Sequence, residues 1–154
     1  MINDTGQRSV TYDTFVIERE LRHAPARVFR AFSDLDAKRA WFGNATDDHT
    51  LDFRVGGKEV SQGDEPHAEF SSYRFEATYH DIVDDERIIY SYEMYVDGKK
   101  LSVSQATILF EATADGTRLT FTEYGAYLDG LEPIGLREQG TSELLDALAA
   151  SLGG

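Results

Sequence analysis

Two charged side chains interrupt the apolar faces of predicted strands, where they could do chemistry in a protein interior. Glu123 continues the alternating face of Leu119 and Phe121, so its carboxylate is expected to point inward. A buried carboxylate either becomes harder to ionise or keeps its charge beside a cationic partner. Arg19 breaks the apolar face of the first strand in the same way. The pattern predicts either a polar anchor or a general acid–base group at Glu123, or a structural ion pair of Glu123 with Arg19.

A group of tyrosines is predicted on the inward faces of two strands: Tyr73, Tyr79, Tyr90 and Tyr92. Protein cores are usually built from Leu, Ile and Val, because a buried tyrosine hydroxyl needs a hydrogen-bond partner. The tyrosines therefore predict either a roomy, partly wet ligand cavity or a core whose hydroxyls reach its rim or one another.

The histidines give no metal-binding pattern. No two of them have the spacing of metal ligands on a helix: His23, His49, His67 and His80. The segment Asp47-Asp48-His49 is interpreted as a solvated acidic loop, and His80 is predicted to face solvent. Cysteine is absent, which excludes disulfides and thiolate ligands. The sequence also lacks a phosphate-binding glycine motif and a G-x-S-x-G nucleophile motif, so we predict no metal and no cofactor.

The charge balance argues against two classes of partner. The 154 residues contain 15 Lys and Arg against 28 Asp and Glu, a net charge of −13. Such a surface repels nucleic-acid phosphates and anionic lipids, so we expect neither a nucleic acid nor a membrane as partner. No apolar run approaches the roughly 20 residues of a membrane span. The N-terminal residues show no signal-peptide pattern, and a cytoplasmic location is therefore expected.

The elements that must position these residues can be read from hydrophobic periodicity. We predict a flexible N-terminus over residues 1–9 and a single domain over 10–154, opening with a strand over 10–21. Two short helices should follow. The first starts at Pro25, and the second is capped by Ser33 or Asp34, carries Trp41 and Phe42, and ends at Gly43.

Six further strands are predicted, over residues 51–55, 58–62, 70–82, 87–96, 100–113 and 117–125. Tight-turn pairs connect three of the hairpins: Gly56-Gly57, Asp97-Gly98 and Asp115-Gly116. A polar loop containing Pro66 separates the first of these hairpins from the strand over 70–82.

The C-terminal segment changes to a helical period. Leucines predict an amphipathic helix that ends at Gly153: Leu131, Leu144, Leu145, Leu148 and Leu152. Hairpin connections make neighbouring strands antiparallel, and this helix is the only predicted element long enough to cover their apolar face. The sequence predicts an α+β fold in which a curved seven-stranded antiparallel sheet surrounds the C-terminal helix.

Several segments occur in a characteristic order: residues 16–34, Trp41-Phe42-Gly43, residues 52–57, residues 116–122, and Gly140 ahead of 144–148. Together they resemble the START-like (SRPBCC) proteins over residues ~14–152. The most similar branch is the one named for its likeness to the activator of the heat-shock-protein-90 ATPase, and polyketide cyclase-like proteins belong to the same superfamily.

This resemblance implies a helix-grip fold with a cavity between the sheet and the long helix. Many members bind apolar or aromatic small molecules there, and some are polyketide cyclases or aromatases. The family shares no invariant catalytic constellation, so the resemblance implies no catalytic residues. The branch often has a tryptophan after the helix glycine, where this chain has Thr141. The small side chain predicts a larger pocket.

We therefore predict a protein that binds a small hydrophobic or aromatic ligand in an internal cavity. Trp41 and Phe42 are expected near its entrance, and Thr141 and Leu145 should face it from the helix. The sheet should contribute the other lining residues: Tyr73, Phe75, Tyr90, Tyr92, Met94, Ser104, Phe110, Phe121 and Glu123. Ser104, Glu123 and the tyrosine hydroxyls could orient the ligand.

Two other functions remain open. One is a cyclase-like or hydratase-like enzyme on a polyketide-like substrate, with Glu123 or a tyrosine as the proton carrier. The other is a partner-binding module resembling a chaperone co-factor, which would need an exposed apolar patch or a charged docking face. Edge strands and exposed aromatic side chains make a homodimer a candidate oligomeric state.

Overall fold

The first strand and the first short helix form where the sequence predicts them, and the second short helix begins at one of its predicted caps. A computed structural model describes residues 7–44, 46–64 and 71–153. Strand β1 (Val10–Leu21) is followed by α1 (Pro25–Ser33) and α2 (Leu35–Arg39). Proline opens α1 because its missing N–H needs no partner in the first turn. The Asp34 side chain caps α2 by accepting a hydrogen bond from the Ala37 N–H at 3.0 Å.

The remaining strands complete one antiparallel sheet. They are β2 (Asp48–Leu51), β3 (Lys58–Asp64), β4 (Ser72–Val83), β5 (Arg87–Val96), β6 (Lys99–Thr113) and β7 (Gly116–Leu128). Their order across the sheet is β1-β7-β6-β5-β4-β3-β2, so the first and last strands are neighbours. The predicted turn at Asp97-Gly98 has φ values of 50° and 79°, as a type I′ turn requires. The seven-stranded antiparallel sheet is confirmed.

Helix α3 (Leu136–Ser151) packs against the inner face of this sheet. Leu145 and Leu148 are buried in the main core together with side chains of the inner sheet face. Leu131, which the helical period included, lies before the helix and packs with Val96 and Leu101 in a separate small cluster. The helix therefore starts later than Leu131 would indicate, after Gly135 at its N-cap.

The predicted hairpin at Gly56-Gly57 has a different geometry. Strand β2 ends at Leu51, and Val55, predicted on a strand, is 62% exposed. Residues 52–57 form a longer connection, closed by a hydrogen bond from the Gly57 N–H to the Arg54 carbonyl at 2.8 Å. A Cβ at Gly57 would lie 2.0 Å from the Asp52 carbonyl oxygen, so this tight connection requires glycine.

Other boundaries also differ from prediction. Strand β3 continues through Gly63 and Asp64, β7 continues to Leu128, and α2 ends at Arg39, before Trp41 and Phe42. His67 and residues 1–6 of the N-terminus predicted to be flexible fall outside the described residues, while the Ser9 N–H donates to the Asp129 carboxylate at 2.9 Å. None of the helices in the described ranges is both long and apolar enough to span a membrane.

Candidate functional site

A cavity of about 230 Å³ lies between the inner face of the sheet, the end of α2 and the first half of α3. Ten of the predicted lining residues form part of its wall: Trp41, Phe42, Phe75, Tyr90, Tyr92, Met94, Phe121, Glu123, Thr141 and Leu145. Seven further wall residues were missed from the sequence: Phe32, Lys38, Glu132, Leu136, Arg137, Gly140 and Leu144. The wall is mostly aromatic and aliphatic, with charged groups from the sheet, α2 and the segment around the start of α3.

Aromatic rings form a continuous surface along the cavity. The Phe42 and Phe75 ring centroids are 5.0 Å apart, and those of Phe75 and Tyr92 are 4.9 Å apart. Trp41 is buried and donates its indole N–H to the Ala31 carbonyl at 3.0 Å. These contacts hold the rings in fixed orientations, so this side of the cavity is preformed.

The open side of the cavity is at the beginning of α3 rather than at Trp41. Leu136 is 49% exposed and Gly140 is exposed, and both belong to the wall. Trp41, expected near the entrance, is only 7% exposed because it packs against Phe32 at 5.0 Å. The first two turns of α3 therefore border the open side of the cavity.

One end of the cavity contains a hydrogen-bonded cluster of buried polar groups. The Tyr92 hydroxyl lies 2.9 Å from each Glu123 carboxylate oxygen and donates to that group. Arg137 donates to the Tyr92 hydroxyl at 2.8 Å, to Ser102 Oγ at 2.9 Å and to Glu132 Oε1 at 2.7 Å. Arg137 Nη1 is 4.0 Å from Glu123 Oε2. The cluster thus connects strands β5, β6 and β7 to α3.

Burial dominates the ionisation of this cluster. It raises the pKa of Glu123 from 4.5 to about 7, against the opposing effects of the Arg137 charge and the Tyr92 hydrogen bond. Burial and the neighbouring Glu123 carboxylate also raise the pKa of Tyr92 well above its ordinary value. Glu123 can therefore hold or release a proton near neutral pH while Tyr92 stays neutral.

The ion pair of Glu123 with Arg19 is wrong, although the two strands are neighbours as it requires. Arg19 pairs in register with Leu119, while Glu123 pairs with Phe15. From that position Arg19 reaches α3, where it donates to Ser142 Oγ at 2.7 Å and forms an ion pair with Asp146 at 3.2 Å. The cationic neighbour of Glu123 comes instead from the start of α3.

A second buried network lies under another part of the cavity. Glu59 is fully buried and accepts hydrogen bonds at 2.6 Å from Lys38 Nζ, His49 Nε2 and the Tyr79 hydroxyl. Burial alone would raise the pKa of Glu59, but the Lys38 charge and the hydrogen bonds outweigh burial and lower it to about 2. Glu59 is therefore ionised at neutral pH, and Lys38 links it to the cavity wall.

The interpretation of Asp47-Asp48-His49 as a solvated loop is wrong. Asp47 and His49 are buried. His49 lies on strand β2 and is part of the second network. The Asp47 carboxylate accepts the Tyr73 hydroxyl at 2.5 Å and the Asn44 N–H at 2.9 Å. His80 is exposed, as predicted, and contacts Ser91 Oγ at 2.8 Å.

Three predicted lining residues lie outside the cavity wall. The Tyr73 hydroxyl is bonded to Asp47 and Ser61. Phe110 packs against Phe29 and Phe32, with ring centroids 5.3 and 5.6 Å apart. Ser104 is buried beside Gly125, and its Oγ has no hydrogen-bond partner among the described residues. Strand alternation places all three on the inner face, but the cavity occupies only part of that face.

Helical spacing could have identified one of the missed residues. Arg137 lies four residues before Thr141, which lies four residues before Leu145, so all three share one face of α3. Lys38 and Glu59 gave no comparable pattern, because neither continues an apolar series in the sequence. In the described part of the chain, no group of three or more His, Asp or Glu side chains is arranged to hold a metal ion.

Comparison with known proteins identifies a family with this architecture. The family model described as Activator of Hsp90 ATPase homolog 1-like protein matches residues 22–153. None of the curated proteins is significantly similar to the chain.

Several solved structures are similar over nearly the whole chain. An uncharacterized protein from Rhizobium leguminosarum is 42% identical with a TM-score of 0.89, and the match covers 95% of this chain and 97% of that one. The Mll3558 protein from Rhizobium loti is 42% identical with a TM-score of 0.85, covering 93% and 99%. DynU16, from the dynemicin biosynthetic locus, shares the fold at 14% identity and a TM-score of 0.66, over 91% of this chain and 47% of its own.

Proposed function

Because the chain belongs to the Activator of Hsp90 ATPase homolog 1-like family, we propose that it binds a small apolar or aromatic molecule in the cavity between the sheet and α3. The observation that carries this proposal is the aromatic wall with a polar cluster at one end. Ligand sites are typically mostly apolar, with a few polar groups that fix the orientation of the ligand. Family membership fits a ligand-binding or cyclase-like role.

The size of the cavity limits the ligand. An engineered cavity of about 150 Å³ holds benzene, and this cavity is about 230 Å³. It is smaller than the ~300–1,000 Å³ of common ligand pockets. A compound of one or two rings fits this volume, whereas a full-length aromatic polyketide would require the wall to move.

A thermal-shift screen of one-ring and two-ring aromatic compounds tests the proposal. A ligand at a hundred times its Kd stabilises the folded state by about 2.7 kcal/mol, which raises Tm by about 5–10 °C for a chain of this length. Hits are then titrated by calorimetry.

Two phenylalanines provide a matched pair of variants for such hits. Phe42 and Phe53 are both half-buried, but only Phe42 is part of the cavity wall. Phe53 instead packs against Phe29 and Tyr79. Phe42→Ala should weaken binding at least about tenfold, the equivalent of about 1.4 kcal/mol, while Phe53→Ala should leave the Kd unchanged. Equal effects of the two variants would count against a ligand in this cavity.

The ionisation of Glu123 favours one second candidate function, a cyclase-type enzyme. A carboxyl whose pKa is about 7 is suited to general acid–base catalysis at neutral pH, and it contacts Tyr92 at 2.9 Å inside the cavity. Under this alternative, a bound polyketide-like compound would be converted to product, and Glu123→Gln would abolish turnover while retaining binding. An unchanged compound after prolonged incubation with wild-type protein would count against the enzyme.

A further inference from the structure

Each charged end of the cavity has a hydrogen-bonding position that the described residues leave unused: an acceptor of Glu132 at one end and donors of Lys38 at the other. Glu132 uses one carboxylate oxygen for Arg137 at 2.7 Å, while its Oε2 is buried and has no hydrogen-bond partner among the described residues. The Glu132 side chain is 8% exposed and belongs to the cavity wall. An unpaired buried acceptor carries a desolvation cost, which a ligand donor would remove.

The ammonium group of Lys38 is the counterpart on the α2 side. Its side chain is 4% exposed, it belongs to the cavity wall, and it donates to Glu59 Oε1 at 2.6 Å. An ammonium group has more N–H donors than this one bond uses, and no further acceptor for Lys38 is found in the described part of the chain. Lys38 Nζ is 4.7 Å from the Phe42 ring centroid, so the ammonium group also lies over the face of this ring.

A row of aromatic rings separates these two groups. The Phe42 ring lies next to Lys38. The ring centroids of Phe42 and Phe75 are 5.0 Å apart, and those of Phe75 and Tyr92 are 4.9 Å apart. The Arg137 guanidinium lies 5.6 Å from the Tyr92 ring centroid and holds Glu132. A flat aromatic ligand lying along these rings would have a donor group of the protein towards one end and an acceptor towards the other.

We propose that the ligand is a small aromatic compound with an acceptor oxygen at one end, bound by Lys38 Nζ, and a hydroxyl or N–H donor at the other, bound by Glu132 Oε2. This inference rests on the proposed function, since it specifies the ligand of the same cavity. It requires a ligand that is polar at two opposite positions, rather than a purely hydrocarbon ligand.

Four compounds of nearly equal size test the two ends separately: ethylbenzene, acetophenone, 4-ethylphenol and 4-hydroxyacetophenone. They share one ring and a two-carbon substituent and differ only in the carbonyl oxygen and the hydroxyl group. Each polar group should lower the Kd by about tenfold, because hydrogen bonds to charged groups are among the stronger ones. 4-Hydroxyacetophenone should therefore bind about a hundredfold more tightly than ethylbenzene in calorimetric or NMR titrations.

Two variants assign the groups to their partners. Lys38→Met should remove the advantage of the carbonyl and keep that of the hydroxyl, whereas Glu132→Gln, which replaces the free oxygen by an amide donor, should do the reverse. Lys58→Met and Glu138→Gln make the same chemical changes at exposed positions outside the cavity wall and should leave all four affinities unchanged. If Lys38→Met does not fold, Lys38→Met/Glu59→Gln is compared with Glu59→Gln, since the double variant leaves no unpaired buried carboxylate.

The outcomes separate this inference from the proposed function. Ethylbenzene binding as tightly as 4-hydroxyacetophenone, or variants that leave the pattern of affinities unchanged, would overturn the two-ended ligand and leave cavity binding intact. If none of the four compounds binds, the two-ended ligand is likewise overturned. The proposed function itself fails if the wider aromatic screen is also empty.

Discussion

Glu123 and Glu59 are both buried carboxylates on the inner face of the sheet, yet their surroundings move their pKa values in opposite directions. Around Glu59, a lysine ammonium and two other donors at 2.6 Å offset the cost of burial. Glu123 has one hydroxyl at 2.9 Å and a guanidinium at 4.0 Å, which is too little to offset burial. The number of donors and their distances therefore decide that Glu59 stays ionised, whereas Glu123 can exchange a proton near pH 7.

The first prediction concerns Glu123 and the dependence of stability on pH. Because its folded-state pKa is raised from 4.5 to about 7, its contribution to stability is complete below the unfolded-state value and is lost as pH rises through about 7. The shift corresponds to at most about 3 kcal/mol. Glu123→Gln, which stays neutral, should flatten the decrease in unfolding free energy between pH 5.5 and 7.5 in urea titrations.

Both pH values lie above the isoelectric point of about 4.6, which limits precipitation. Glu143→Gln makes the same chemical change at an exposed position of α3 and should keep the wild-type slope. Equal slopes for Glu123→Gln and wild-type protein would show that Glu123 ionises normally.

The second prediction concerns the Lys38–Glu59 pair. Removing one partner of a buried ion pair leaves an uncompensated charge and typically costs about 3–5 kcal/mol. Lys38→Met should therefore lower the free energy of unfolding by several kcal/mol in urea titrations. Lys38→Met/Glu59→Gln should recover part of the loss. A decrease no larger than that of Lys58→Met, at an exposed position, would contradict a buried ionic pair.

At the scale of elements, local patterns predicted most of the fold. The bounds of β1 and β5 match their predicted ranges, because alternation and turn residues are properties of short segments. The connection over residues 52–57 was missed because its hydrogen bonds include one from Gly56 to Tyr79 of β4, which no local pattern contains. The buried polar groups were missed for a related reason: Lys38, Glu59 and Glu132 come from three separate segments, and their burial depends on the packing of those segments.

The third prediction concerns two glycines at the N-terminal end of α3. A Cβ at Gly140 would meet nothing within 4 Å, and glycine costs a helix interior roughly 0.8–1 kcal/mol relative to alanine. Gly140→Ala should therefore raise the free energy of unfolding by about that amount. Gly135 has φ +93° at the N-cap, so Gly135→Ala should lower it by about 1 kcal/mol. If urea titrations gave changes in unfolding free energy of the same sign for both variants, they would contradict a helix that starts after Gly135.

At the scale of the whole molecule, the cavity is a cost unless something fills it. The side chains around this space of about 230 Å³ lack the dispersion contacts that a filled core would give them. Gly140 and Thr141 keep this space open on the α3 side, so the same residues that reduce stability provide room for a ligand.

The most direct test of cavity binding uses a tryptophan at one of two positions on α3. Thr141 is buried in the cavity wall, whereas Gln139, two residues earlier, is exposed. Calorimetric titration with the tightest compound of the aromatic screen should give the wild-type Kd for Gln139→Trp. The Kd should rise at least about tenfold, or binding should be lost, for folded Thr141→Trp, because the indole occupies the ligand volume. The same Kd for wild-type protein and both variants would contradict ligand binding in the cavity, since the ligand would then bind elsewhere.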